Sequence, residues 1–207
     1  MEQSRLISSI GLSELMNLTC GGERPESRAQ EAMLAVIALA AGLVLAAVWG
    51  VAAGSSSAEL ALADLYKVPM VILLSAVTAL PAGLVTLRLT NAKLGGAELA
   101  GAFATSIFGG TLVLATLAPL VAIYYHTSAK AGVPLALGSV FVALATASLL
   151  FARAVARRIG EHRRGLLAVV ILVVIFLAAL LQFVALASPI IGVHGTALEG
   201  GFDGLRL

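Results

Sequence analysis

From residue 32 onward the chain alternates long apolar runs with short polar gaps. The runs cover about 32–53, 68–90, 100–125, 133–152 and 166–191. Each holds about 20 residues or more, enough for a helix to cross a hydrocarbon core roughly 30 Å thick. No Asp, Glu, Lys or Arg lies near the middle of any run. The pattern predicts an all-α integral membrane bundle of five transmembrane helices. It divides the chain into a polar leader (1–31), a five-span domain (32–191) and an irregular, glycine-rich outer tail (192–207).

Within the runs, small residues recur at helical spacing. Ala38, Gly42, Ala46 and Gly50 lie four apart, so they share one face of the first span. Gly101, Thr105 and Gly109 do the same in the third. Such stripes let helix backbones approach closely in lipid, where packing drives association. Lys67-Val68-Pro69 reads as the start of the second span, with proline in a first-turn position. Pro81 and Pro119 lie inside spans and are expected to kink them, and Thr78 is placed to satisfy a carbonyl freed by Pro81. Residues 58–66, with Leu60, Leu62 and Leu65, read as a segment on the membrane surface. Trp49 fits an interfacial anchor.

Composition agrees: 60% of the 207 residues are hydrophobic and 12% are charged, about half the usual charge of a soluble domain. Charge position sets the expected topology. The leader (Arg5, Arg24, Arg28), the gap after span two (Arg88, Lys93) and the gap after span four (Arg153, Arg157, Arg158, Arg163, Arg164) hold ten of the 13 basic residues. Those regions share one side in a five-span protein. Basic residues favour the cytoplasm, so the N-terminus is expected inside and the C-terminus outside. The net charge of +2 follows from that bias and points to no nucleic-acid partner.

The leader has no apolar core of signal-peptide length, so the first span is expected to serve as the insertion signal. An interfacial helix and a loosely ordered leader both remain open there. Cys20, alone, excludes an internal disulfide; Leu18-Thr19-Cys20-Gly21 reads as an ordinary thiol segment rather than a lipidation box.

Reaction chemistry is not legible. His126, His162 and His194 lack metal-ligand spacing, and no nucleophile elbow, phosphate loop or zinc-protease helix occurs. No enzyme activity, metal or cofactor is expected. Gln182 is the one amide within a span, read as an interhelical hydrogen-bonding group or as part of a substrate path. The arginines at 153, 157, 158, 163 and 164 form the densest charge cluster, suited to anionic lipid headgroups or an acidic protein partner.

The polar cytoplasmic leader, five spans, proline-bearing second span and Gly95-Gly96 gap resemble the Yip-type family of five-span membrane proteins. Trp49-Gly50, Lys67-Val68-Pro69, Pro81, Pro119, Gln182 and Ser188-Pro189-Ile190-Ile191-Gly192 are similar to a poorly characterised bacterial group of the same shape. The resemblance spans about residues 30–195. It implies a non-enzymatic scaffold, anchor or accessory subunit in a bacterial inner membrane, with lipids and other membrane proteins or its own copies as partners. Eukaryotic Yip proteins recruit small GTPases, but no residue here identifies a surface for one. A small permease or lipid-handling transporter is the alternative. A water-accessible path lined by Gln182 and the span-three hydroxyls would distinguish it from a dry scaffold.

Overall fold

The computed structural model describes residues 28–89, 94–128, 131–159, 163–187 and 190. They form five helices: α1 (Arg28–Ala53), α2 (Ala58–Leu89), α3 (Gly96–Thr127), α4 (Gly132–Ile159) and α5 (Arg163–Ala187). All five contain a stretch long and apolar enough to cross a membrane. This is an all-helical fold of a multi-pass membrane protein. The leader up to residue 27 and the tail from 191 lie outside the described residues, as does the expectation of an interfacial helix.

Consecutive helices run antiparallel around a ring. α1 packs against both α2 and α3, α3 against α4, and α2 against α5; α4 and α5 meet more loosely and close the circle. α3 is the most enclosed helix, with Leu99, Ala102, Phe103, Ile107, Leu114, Ala118 and Val121 buried along its length. An aromatic cluster joins α3, α4 and α5. Phe103 meets Phe151 of α4 edge-on at 5.6 Å and Phe176 of α5 at 5.1 Å. Each such pair contributes about 0.5–1.5 kcal/mol beyond its buried area. Around the outside, Val36, Val44, Val77, Phe141 and Leu181 are exposed, an apolar perimeter suited to lipid.

The small-residue faces sit where backbones come closest. Ala38, Gly42, Ala46 and Gly50 are all buried. A Cβ on Gly42 would lie 3.1 Å from Thr111 Oγ1 and 3.4 Å from Phe108 Cα, both on α3. Gly101 and Gly109 are buried and Thr105 half-buried on α3. At Gly110 an added Cβ would come within 2.8 Å of Ala147 Cβ and 3.0 Å of the Ala143 carbonyl, so α3 and α4 nearly touch there. In lipid, where apolar burial alone does not favour one helix partner over bilayer, this close contact is what holds helices together.

The second helix departs from the sequence-based reading. It begins at Ala58, not 68, and continues through both Pro69 and Pro81. Ser57 explains the earlier start: its hydroxyl accepts the Leu60 N–H at 3.1 Å, capping the new first turn. Pro69 therefore lies in a helix interior and leaves the Leu65 carbonyl without its helical donor. Thr78 does not repair Pro81. Its hydroxyl donates to Leu74 at 2.9 Å, whereas the carbonyl freed by Pro81 is that of Val77. α2 has 32 residues, about 48 Å at 1.5 Å per residue, so its ends extend beyond an apolar core of roughly 30 Å. α3 likewise runs unbroken through Pro119, over 32 residues.

Candidate functional site

The extension of α2 carries Asp64 into the protein. Asp64 shares a helix face with Val68, Val71, Ile72, Ser75, Ala76 and Ala79, and that face is the buried one. The residue is 0% exposed. Neither carboxylate oxygen has a hydrogen-bond partner among the described residues. An ionised carboxylate in that state is costly, by several kcal/mol or more, unless a proton, water or cation is supplied.

Glycines put it there. A Cβ on Gly50 would collide with the Asp64 carbonyl oxygen and lie 3.1 Å from Val68 Cγ2. One turn on, a Cβ on Gly54 would lie 2.8 Å from Ala61 Cα and 2.8 Å from the carbonyl carbon of Leu60. The first two turns of α2 therefore lie directly on the end of α1. The intervening turn is held by Gly54 N–H to the Gly50 carbonyl (2.9 Å) and Ser57 N–H to the Gly54 carbonyl (3.2 Å).

The same end of the bundle gathers other polar groups. Tyr125, near the end of α3, packs its ring against Gly132, where an added Cβ would lie 3.1 Å from Cδ1. Its hydroxyl is buried and without a hydrogen-bond partner among the described residues, as is Ser55 Oγ in the α1–α2 turn. Lys67, half-buried, follows Asp64 by one turn of α2 and donates no hydrogen bond to either Asp64 oxygen. Trp49 is not an interfacial anchor. It is 3% exposed, and its indole N–H donates to Ser139 Oγ of α4 at 3.0 Å. Ser139 in turn donates to the Ala136 carbonyl at 2.6 Å.

Comparison with known proteins adds no relative: no family model, curated protein or solved structure matches this chain.

The sequence-predicted candidates lie elsewhere. Arg153 and Arg157 are exposed on the last turns of α4. The side chains of Arg158, Arg163 and Arg164 lie outside the described ones, although α4 and the start of α5 bring all five backbone positions to the end opposite Asp64. Gln182 is exposed on α5 and does not bridge helices within the bundle. The span-three hydroxyls bond locally: Thr105 donates to Gly101 (3.0 Å), Ser106 to Phe103 (2.7 Å), Thr111 to Ile107 (2.9 Å) and Thr116 to Val113 (2.8 Å). Ser106 and Thr111 are buried, Thr105 half-buried and Thr116 exposed.

Asp64 escapes the sequence reading because Pro69 suits the first turn of a helix, which leaves 58–66 as a surface segment. The signal was present. Extending the buried face of α2 backward from Val71 and Val68 by one turn reaches Asp64.

Proposed function

We propose that this protein is a non-enzymatic membrane scaffold or accessory subunit, Yip-like in form. Its bundle would offer an apolar perimeter to lipid and neighbouring proteins. The observation that carries the reading is the packing where α3, α4 and α5 meet. Phe103, Phe151 and Phe176 interlock there, and the hydroxyls of α3 are satisfied by their own helix. A permease needs polar groups left available at depth along a continuous route. Here Gln182, the amide expected on such a route, faces outward. An outward amide amid apolar surface suits contact with a partner helix better than contact with a substrate.

The charge bias favours a cytoplasmic N-terminus, and the resemblance to the bacterial five-span group favours an inner membrane. The arginine end would then meet anionic headgroups, and the Asp64 end would lie near the outer surface.

The test is water access. In a Cys20→Ser background, single cysteines at Thr105, Ser106 and Thr111 should resist a small water-soluble thiol reagent in membranes, while a cysteine at Ser56 reacts. Rapid labelling of all three α3 positions would refute the scaffold reading and favour a transport path.

A further inference from the structure

We propose that Asp64 is a proton-binding site that latches the first turns of α2, residues 58–68, onto the end of α1. The latch holds while the carboxyl keeps its proton and opens when the proton leaves. This device goes beyond the scaffold reading and does not depend on it. Three observations carry it. Asp64 is 0% exposed, and neither carboxylate oxygen has a hydrogen-bond partner among the described residues. The segment lies in backbone contact with α1: an added Cβ on Gly50 would collide with the Asp64 carbonyl oxygen, and one on Gly54 would lie 2.8 Å from Ala61 Cα. The segment also has a weak point at its far end, because Pro69 has no N–H to offer the Leu65 carbonyl.

Burial without partners selects the neutral acid. An ionised carboxylate that has lost water and gained no donor is costly, and a group so placed keeps its proton. Neighbouring charges do not stand in for the missing donors. On α2, Lys67 is half-buried and donates no hydrogen bond to either oxygen, while Glu59 and Tyr66 are exposed. The end of α3 brings Tyr124 and His126, both exposed, and Tyr125, whose buried hydroxyl has no hydrogen-bond partner among the described residues. The described parts of α1, α4 and α5 bring no charged or titratable side chain to this end. Lys130, in the turn between α3 and α4, and the tail from 191 lie outside the described residues.

The chain provides for both positions of the latch. Closed, Ser57 caps a helix that starts at Ala58 and runs through Pro69, with Asp64 against α1. Open, Lys67-Val68-Pro69 serves as the first turn of the span, where proline is at no disadvantage. Residues 58–66 then lie on the membrane surface through Leu62, Leu65 and Tyr66, which are exposed already in the closed position. Opening carries the carboxyl into water, where its O–H bond breaks. The proton passes to a water molecule and the electron pair stays on the carboxylate; closing reverses the step. One proton leaves per opening. The opening equilibrium therefore rises with pH, by about tenfold per unit over the window in which closed Asp64 is neutral and open Asp64 ionised.

The experiment is thiol labelling of the full chain in mild detergent, in a Cys20→Ser background. Val68→Cys places a thiol on the latched segment at a position 6% exposed and packed against Gly50. Ser56→Cys, in the exposed turn, corrects for the pH dependence of the thiol itself. The ratio of the two rates with a small uncharged reagent is followed from mildly acidic to mildly alkaline pH. It should rise by about tenfold per pH unit over part of that range. With Asp64→Asn, an uncharged side chain of the same shape, the ratio should stay flat at its acidic value. If Asp64→Asn does not accumulate, Asp64→Leu, which needs no hydrogen-bond partner, takes its place with the same expectation. A flat ratio in the chain that keeps Asp64 overturns the proposal. A ratio that falls as pH rises also overturns it, and identifies an ionised carboxylate paired in the closed position. A slope that survives replacement of Asp64 overturns it as well, by assigning the titration to another group.

Discussion

Gly50→Ala tests the helix contact on which the position of Asp64 depends. The added methyl would collide with the Asp64 carbonyl oxygen and approach the Asp64 carbonyl carbon to 3.0 Å. Those are backbone atoms of α2, and a backbone cannot swing away as a side-chain tip does. α2 must shift as a unit, and with it Asp64, whose burial depends on this contact. Overpacking of this kind costs about 1–3 kcal/mol, and collision with backbone belongs at the upper end. Alanine also improves helix propensity by about 1 kcal/mol over glycine. The net expected loss is about 2 kcal/mol, or roughly 4–8 °C in Tm at this chain length. Two glycines of the same bundle calibrate the number. At Gly138 an added Cβ meets nothing within 4 Å, so Gly138→Ala shows the propensity gain alone. At Gly42 the nearest atom is the Thr111 hydroxyl oxygen at 3.1 Å, so Gly42→Ala should fall near neutral. The assay is thermal unfolding of the three variants in one mild detergent. If Gly50→Ala melts with or above Gly138→Ala, α2 does not lie on α1 as described, and the burial of Asp64 loses its cause.

Two further predictions concern other contacts. Ser139→Ala should cost about 1–3 kcal/mol in the same melting assay, because it leaves the buried Trp49 N–H without its 3.0 Å acceptor, and Trp49→Phe in that background should recover part of the loss. Changing Arg153, Arg157, Arg158, Arg163 and Arg164 to Gln should leave an inserted protein that has lost a salt-sensitive association with anionic vesicles; equal retention of variant and wild type across a salt series would reduce the cluster to a topological signal.

The sequence by itself determined the number and the class of the helices. Uncharged apolar runs of span length permit only helices in lipid, because every backbone polar group must be satisfied within its own segment. The four-residue spacing of Ala38, Gly42, Ala46 and Gly50 also identified a face of α1 that could approach another backbone closely. Which helices would lie against that face was not legible. The sequence carries no term for the distance between Gly50 and a carbonyl oxygen on another helix. Nor could local rules place the start of α2. Lys67-Val68-Pro69 satisfies the preferences of a first turn, but Ser57 also caps a helix, and packing against Gly50 and Gly54 favours the longer one. That tertiary choice decided the chemistry. It converted Asp64 from a surface acid into a buried carboxylate, and Trp49 from an anchor into the donor of an interhelical bond. It also turned Gln182 outward, because facing inward or outward depends on how α5 is rotated against α2, and a run apolar on every side does not fix that rotation.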